Sequence, residues 1–480
     1  MHTFEGHPPE LRRLFFIELW ERFSYFGLAA LLVLFMTSSL EEGGLGWSTD
    51  KALLVKAAYG SGIYLLAIPC SLLADRWLGS ASSVFLGAVF IVIGHATLAV
   101  PLGFTFIAGL AFVAVGTSFL KPSLNGLVGD LYRADLAPMK KAGMALFYMS
   151  ISIGGLFGPL VLGYLRLAPF ATPTAGWHIA FGAAAFGMAI ALCLFIGFWR
   201  GHRRAKPPAP TSGWLIAWVF IGSSILLWLL VWGTDRPGLM WALYALIPIS
   251  ALLLALRAAT RKQAVWMVML AISTSVSVVV GQMVSGLTLV IKGHVEPAVF
   301  GWTFPIELFP GMFSGFIILF TLLISGITKK KPDILNYGNV FTIGVVCIAV
   351  ALGIIGISLS AAGGAKVSAW AIIASYVFKA AAEALIIPLA LSLMHDVSTE
   401  DDKSLTMAIW FLGAGLGVNM AKMLGLSMGQ SAPELGAFFN HEAMAAAFLA
   451  LVLCRRTPGN RGRHPLRSAP LHRRAPRPSS

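Results

Sequence analysis

The sequence predicts an all-α polytopic membrane protein, and three observations support this fold class. Hydrophobic residues make up 57% of the 480 residues and charged residues only 12%, whereas charged residues form about 25% of an average soluble domain. The mean hydropathy is +0.80, and apolar stretches long enough to span a bilayer recur from end to end. Lys and Arg residues are concentrated in alternate loops between these stretches. These observations exclude a soluble fold.

The apolar stretches predict about fourteen transmembrane helices in three groups. Six helices precede a basic, proline-rich break at residues 200–210, two form a hairpin around residues 234–238, and six more follow. This pattern predicts two six-helix bundles joined by an inserted two-helix hairpin, with a pathway at the interface of the bundles. The predicted helices are 14–40, 52–74, 81–100, 103–125, 141–165, 178–199, 213–233, 239–256, 264–291, 303–327, 337–361, 367–394, 405–428 and 437–454. The predicted domains are the N-terminal bundle (1–200), the basic linker and hairpin (201–262), the C-terminal bundle (263–455) and a disordered basic tail (456–480).

The net charge of +14 follows the predicted membrane topology and does not indicate a nucleic-acid partner. With the N-terminus inside, the inner loops carry more Lys and Arg residues than the outer loops, as the positive-inside rule expects. We therefore expect a multi-pass protein of the inner (plasma) membrane, with both termini cytoplasmic. The four cysteines show no paired spacing, which favours packing roles over a disulfide framework or a metal site. The basic residues of the inner loops are Arg76, Arg133, Lys140, Lys141, Arg200, Arg203, Arg204, Lys206, Arg257, Arg261, Lys262, Lys329, Lys330, Lys331 and Lys403.

The first predicted helix carries polar residues that are costly inside a bilayer. Glu18 is followed by Glu21, Arg22 and Tyr25 at i+3, i+4 and i+7, so all four residues share one helix face. Because an unpaired charge near the bilayer centre is expensive, this face must line a protein-walled or water-accessible cavity. With two carboxylates for one arginine, one glutamate can be neutralised while the other binds and releases a proton.

Three other groups of polar residues lie in or beside later helices. Lys121 either snorkels to the inner surface or pairs across the cavity with a first-helix glutamate or a substrate carboxylate. Glu383 either forms a local pair with Lys379, four residues before it, or faces the cavity as a carboxylate of the second half. Asp75 and Arg76 mark the inner turn between the second and third helices, where they predict a gating pair.

Several sequence motifs occur in order along the predicted helices. They are Glu18-Leu-Trp-Glu-Arg-Phe-Ser-Tyr25, Leu120-Lys-Pro122 with Val128-Gly-Asp-Leu-Tyr132, Ala145-Leu-Phe-Tyr-Met149, Trp177-His-Ile-Ala-Phe-Gly182, Ser375-Tyr through Glu383 to Pro388, and Trp410-Phe-Leu with Asn419. Together they resemble the proton-dependent oligopeptide transporter family of the major facilitator superfamily. The first motif matches the ExxERFxY signature of that family, and the inserted hairpin is typical of its bacterial members.

The resemblance implies a major facilitator fold and a proton-coupled symporter that imports di- and tripeptides by alternating access. It implies no enzyme activity and no cofactor, with the proton as coupling ion, and we expect a monomer. The residues that it assigns to proton coupling are Glu18, Glu21, Arg22 and Lys121. The candidates for substrate binding are Arg22, Tyr25, Tyr64, Lys121, Glu383 and Trp410, with Gln282 added as a polar residue of a later helix.

The sequence departs from the pattern of that family at Cys70-Ser71, which stands in place of a second-helix Gly-Gly, and at three further positions. Phe26 stands where the family usually has a second tyrosine, Ser152 where it has an asparagine, and Phe309 where it has an asparagine before proline. These last three changes remove amide or hydroxyl groups that would contact a peptide. Two alternatives therefore stay open: a proton-coupled symporter of another small solute, amino-acid-like or organic, and a non-transporting membrane receptor on the same fold.

Overall fold

Long helices account for most of the described chain. The computed structural model describes residues 4–100, 103–132, 136–167, 172–201, 261–299, 301–303, 309–330, 337–425 and 431–456. Within these ranges the helices are α1 (Pro9–Thr37), α2 (Thr49–Leu73), α3 (Ser80–Leu98), α4 (Gly103–Asp130), α5 (Lys140–Arg166), α6 (Pro173–Gly201), α7 (Arg261–His294), α8 (Phe309–Lys330), α9 (Tyr337–Ala361), α10 (Ala369–Val397), α11 (Lys403–Gly425) and α12 (Ala432–Arg456). The all-α prediction is confirmed. The hairpin predicted within 201–262 and the tail predicted at 456–480 lie almost entirely outside the described residues.

Short elements connect some of the helices. A π-helical turn (Ala74–Leu78) follows α2 and ends at Gly79, whose φ of 76° favours glycine. A 3₁₀ turn (Ala137–Met139) precedes α5. The described strands have two residues each: β1 (Val295–Glu296), β2 (Ala298–Val299), β3 (Trp302–Thr303) and β4 (Val367–Ser368). β1 pairs in parallel with β4, and β2 pairs antiparallel with β3.

Nine segments of the described chain are long and apolar enough to cross a membrane. The helices alternate in direction between two faces of the molecule. One face of the molecule carries the start of α1 and the ends of α2 and α4. We call it the N-terminal face. Ion pairs and hydrogen bonds between helix ends, among them Tyr337 to Asp396, bring the ends of α8 and α10 and the starts of α5, α9 and α11 to this same face.

Helices α1 to α6 pack as one bundle through close helix contacts. α3 packs against α4 and α6, α1 packs against α5 and α6, and α2 packs against α4. At the α3–α4 contact, a Cβ added to Gly87 would lie 2.5 Å from the carbonyl oxygen of Gly116. At the α1–α5 contact, a Cβ added to Gly154 would lie 2.6 Å from the carbonyl oxygen of Leu19. Small residues therefore set the helix separations in this bundle, as is common in membranes.

The second bundle consists of α7 to α12, and it meets the first along two seams. α9 packs against α10 and α12, α7 against α11, and α8 against α10. Between the bundles, α2 and α4 contact α11, while α5 contacts α8 and α10. Apolar clusters fill both seams: Leu412 and Leu416 pack against Ile68 of α2, and Tyr148 packs against Ile317.

The close α3–α4 contact gives a stability test. Gly87→Ala places a methyl group against the α4 backbone, so we expect a destabilisation of about 1–3 kcal/mol from overpacking. The measurement is the thermal unfolding midpoint of the purified protein in detergent. Gly197→Ala on α6 is the matched control, because nothing lies within 4 Å of a Cβ at that position. Equal midpoints for the two variants would contradict the expected clash.

Candidate functional site

The polar face of α1 forms a buried charge cluster. Glu18, Glu21 and Arg22 are 0%, 1% and 7% exposed. The Arg22 guanidinium donates from two nitrogens to the two carboxylate oxygens of Glu21, and its Nε lies 3.6 Å from Oε1 of Glu18. The same guanidinium stacks 4.4 Å from the ring centroid of Tyr25. The predicted helix face is therefore a single connected network.

Lys121 on α4 joins this network from the neighbouring helix. Its ammonium is ion-paired with Oε1 of Glu18, and the residue is 8% exposed. This geometry agrees with the cross-helix alternative and leaves no room for snorkelling. The cluster holds two carboxylates and two cations, so its formal charge balances. The second oxygen of Glu18, Oε2, is buried and has no hydrogen-bond partner among the described residues.

A cavity of about 80 Å³ lies beside this cluster, where α1, α2, α4 and α11 meet, and it can hold several waters. Arg22 and Lys121 supply its cationic wall. The Ser118 hydroxyl donates to the carbonyl oxygens of Ala114 and Ile63, each at 2.8 Å, and so ties α4 to α2. The hydroxyl of Thr117 is buried without a partner in the described chain. The lining residues are Arg22, Tyr25, Ile63, Tyr64, Ala67, Thr117, Ser118, Lys121, Pro122 and Phe411.

Four of the predicted site residues, Arg22, Tyr25, Tyr64 and Lys121, line this cavity. Sequence reasoning missed Thr117 and Ser118, although both lie one helical turn before Lys121 and on its face. It named Trp410, which is buried, whereas the neighbouring Phe411 lines the cavity. Gln282 lies on α7 and Phe309 begins α8, but their side chains are outside the described part of the structure.

Glu383 lies in a second polar cluster, on α10. Its Oε1 is 3.1 Å from the Lys379 ammonium, one turn earlier, and Tyr148 of α5 donates to its Oε2 at 3.4 Å. The Lys379 ammonium also lies 3.5 Å from the ring centroid of Phe313 on α8. The local Lys379–Glu383 pair is thus formed. Tyr148 belongs to the fifth-helix motif, but its contact across the bundles was not predicted.

Of the residues that depart from the family pattern, Phe26 packs against the α1 cluster and Ser152 is buried on α5. The ring of Phe26 contacts Tyr25 edge-on, with centroids 5.3 Å apart, and its centroid is 5.9 Å from the Arg22 guanidinium carbon. Ser152 on α5 is 6% exposed. Neither residue lines the described cavity.

Polar contacts between the bundles are gathered at the N-terminal face. The Asp75 carboxylate accepts the backbone N–H groups of Ser404 and Leu405, each at 2.8 Å, and so caps the start of α11. Arg76 has an exposed side chain. Of the predicted gating pair, Asp75 therefore makes the contact between bundles that the structure describes.

A second set of ion pairs surrounds His395 at the same face. Asp130 at the end of α4 accepts from Lys403 at 2.7 Å and lies 3.1 Å from Nε2 of His395. Lys140 at the start of α5 is ion-paired with Asp396 and lies 3.4 Å from Nδ1 of His395. These contacts hold α4 and α5 against α10 and α11, so they close the N-terminal face.

The segment before α1 crosses this closed face. The Lys329 ammonium, at the end of α8, donates to the carbonyl oxygen of Glu5, and Nδ1 of His7 is 2.9 Å from the Tyr132 hydroxyl. Burial, together with the nearby charge of Lys329, lowers the pKa of His7 to about 4. The imidazole is therefore neutral near pH 7, and the segment adds another connection between the bundles.

The described residues contain no group of three or more His, Cys, Asp or Glu side chains placed to hold a metal ion. The cationic cavity wall instead suits an anionic group such as a carboxylate, which accepts hydrogen bonds from guanidinium and ammonium donors. The paired glutamates behind that wall can exchange protons when their cationic partners move.

Known proteins resemble this chain over most of its length. It is 28% identical over 460 residues to the peptide transporter YePEPT of Yersinia enterocolitica, covering 88% of each chain. It is 26% identical over 455 residues to dipeptide and tripeptide permease A of Proteus mirabilis, covering 91% of this chain and 90% of that one.

Solved structures give the same result for the fold. The crystal structure of a peptide transporter POT mutant with alafosfalin has a TM-score of 0.71 at 26% identity, covering 94% of this chain and 95% of that chain. A POT family transporter in complex with 5-aminolevulinic acid has a TM-score of 0.72 at 26% identity, covering 94% and 96%. These matches support the major facilitator fold that the sequence resemblance implied.

The POT family model matches residues 81–430. This match confirms the family that the sequence motifs resemble, and it confirms the expectation of a transporter without enzyme activity or cofactor. The chain belongs to the POT family of membrane transporters.

Proposed function

We propose that this chain is a proton-coupled symporter that imports di- and tripeptides by alternating access. Family membership and the peptide transporters among its relatives support the substrate class. The observation that carries the proposal is the buried cluster in which Glu18 pairs with Lys121 and Glu21 pairs with Arg22 at the cavity wall.

The paired cluster provides a physical route for coupling protons to substrate. A substrate carboxylate entering the cavity competes with the two glutamates for Arg22 and Lys121. If Lys121 or Arg22 turns toward the substrate, the glutamate paired with it, Glu18 or Glu21, loses its nearest cation. A buried carboxylate in that position is costly unless it takes up a proton. Substrate and proton therefore favour each other's binding, and this coupling is reciprocal.

In the proposed orientation, the N-terminal face lies on the cytoplasmic side of the inner membrane. The positive-inside distribution of Lys and Arg supports this orientation. The described state is then closed toward the cytoplasm by the contacts of Asp75, Asp130 and Lys140. Import requires these contacts to break while the opposite side closes. Each positive charge moved inward gains about 2.3 kcal/mol per 100 mV of membrane potential.

Uptake by proteoliposomes tests the proposal directly. Purified full-length protein is reconstituted, an inward proton gradient is imposed, and accumulation of labelled dialanine is measured. We expect accumulation above equilibrium that collapses when a protonophore is added. Flux that is indifferent to the gradient contradicts symport, and uptake of another solute without competition by dialanine favours the alternative cargo. Protein-free liposomes and liposomes without a gradient are the controls.

A further inference from the structure

Lys379 is a buried cation in the middle of α10. It is 2% exposed, which places it among the most completely buried large side chains of the described chain. A buried ammonium persists only when it is paired and hydrogen-bonded. Its partners are Oε1 of Glu383 at 3.1 Å and the face of the Phe313 ring at 3.5 Å.

Both carboxylate oxygens of Glu383 thereby have a neighbour, an ion-pair contact at Oε1 and a hydrogen bond at Oε2; Oε1 accepts no hydrogen bond from the described residues. Lys379 lies at one oxygen, and the hydroxyl of Tyr148 donates to the other at 3.4 Å. Tyr148, Ile317 and Ala380 form an apolar cluster beside this pair, at the seam where α5 meets α8 and α10. A second ammonium group can reach Glu383 only by displacing Lys379 or by sharing the carboxylate with it.

The cavity has the opposite character. Its charged lining residues in the described chain are the cations Arg22 and Lys121, with Thr117 and Ser118 as hydroxyl groups nearby. The acids behind this wall, Glu18 and Glu21, are already paired with those two cations. The described cavity therefore offers strong recognition of a carboxylate and no free acid for an amino group.

We propose that the Lys379 ammonium fills the position beside Glu383 where a zwitterionic ligand would place its amino group. The transporter then recognises small carboxylates, peptides included, whether or not they carry an amino group. This inference rests on the transport function proposed above and narrows its substrate class to solutes selected by their carboxylate end.

Binding of a substrate amino group at Glu383 exchanges one ammonium for another. A substrate amino group that displaces Lys379 gains one ion pair with Glu383, but the same displacement leaves Lys379 buried without its anion. The net gain from the amino group is therefore small. An otherwise identical carboxylate without an amino group avoids the desolvation of a second ammonium and keeps its contacts with Arg22 and Lys121.

Competition in proteoliposomes tests this inference. Exchange of labelled dialanine is inhibited at fixed pH either by unlabelled dialanine or by propionyl-alanine, which has hydrogen in place of the amino group. For the parent protein we expect half-inhibitory concentrations that agree within about threefold, corresponding to less than 1 kcal/mol. Competition under exchange conditions avoids any difference in net charge movement between the two solutes.

Two variants of α10 provide the matched comparison. Lys379→Met keeps the side-chain length but frees Glu383, so dialanine should become about tenfold more potent than propionyl-alanine. Lys379→Met/Glu383→Gln removes both charges and should return the ratio to that of the parent. Lys366→Met, an exposed position, should leave the ratio unchanged.

The possible outcomes separate the two proposals. If propionyl-alanine inhibits dialanine exchange by the parent protein at least about tenfold more weakly than unlabelled dialanine does, the proposed role of Lys379 is wrong. The proposed transport function is unaffected by that result. If the parent protein shows neither dialanine exchange nor gradient-driven uptake, the proposed transport function itself is wrong. If the single variant does not fold, the ratio for the parent protein still decides the inference.

Discussion

Glu21→Gln is expected to abolish gradient-driven uptake of dialanine while exchange survives. The amide keeps the shape of the side chain but cannot cycle between a carboxylate and a carboxylic acid. Nε of Arg22 still lies 3.6 Å from Oε1 of Glu18, so Arg22 keeps an anionic partner at the cavity wall. The Arg22 guanidinium can therefore still bind a substrate carboxylate. We expect driven uptake to fall by about 100-fold or more, equivalent to over 2.7 kcal/mol, and exchange by less than tenfold.

The measurement for Glu21→Gln compares driven uptake with exchange in the same vesicle preparation. Glu41→Gln is the matched control, because Glu41 is an exposed carboxylate in the loop after α1. Retained driven uptake in the Glu21 variant would show that another group carries the transported proton. Equal loss of driven uptake and exchange would instead assign Glu21 a role in substrate binding or folding.

Asp75→Ala/Asp130→Ala is expected to shift the protein toward a state that is open at the N-terminal face. The first change leaves two amides at the start of α11 without their acceptor, and the second removes one of the two carboxylate partners of Lys403 and leaves it with Glu400. Together the lost contacts amount to about 2 kcal/mol or more, a shift of roughly 30-fold in the population of the two states.

Distances between spin labels can measure this shift. Ala137 and Asp401 are exposed positions at the N-terminal face, on opposite bundles, and each can be replaced by cysteine in a cysteine-free background. We expect the distance distribution of the double alanine variant to gain a longer component. Glu296→Ala, on an exposed residue in the connection after α7, serves as the control. An unchanged distribution would mean that other contacts hold the face closed.

The sequence was sufficient to predict the α1 cluster because its geometry is local. Glu18, Glu21 and Arg22 share a face through helical periodicity alone, and a bilayer leaves buried charges few alternatives to pairing. The Lys379–Glu383 pair has the same origin, since an i, i+4 spacing brings the two side chains together on one helix.

Contacts between helices were less accessible to sequence reasoning. Lys121 had two possible environments, and only the packing of α4 beside α1 selects the pair with Glu18. The rotation of α11 was also undetermined, because a helix that is apolar on all sides carries no periodic signal for its inward face. Trp410 and Phe411 differ by about 100° around the helix, so only the packed orientation of α11 shows which of them reaches the cavity.

The ion pairs at the N-terminal face were the least predictable contacts. Asp130 and Lys140 flank the connection between α4 and α5, whereas His395, which they contact, lies 265 and 255 residues later in the sequence. At helix ends, charged residues are common and usually solvated, so their presence alone does not indicate a contact. Their pairing depends on how closely the two bundles approach.

The cap that Asp75 places on α11 lies at the boundary between protein and water. When the bundles separate there, the two amides and the carboxylate exchange their mutual hydrogen bonds for hydrogen bonds with solvent, so each contact changes the net free energy by only about 1 kcal/mol. The hydrogen bonds of this cap therefore favour the closed state modestly in a reversible equilibrium between closed and open states. Because hydration offsets much of the cost of opening, a solute that binds the open state more tightly can shift this equilibrium.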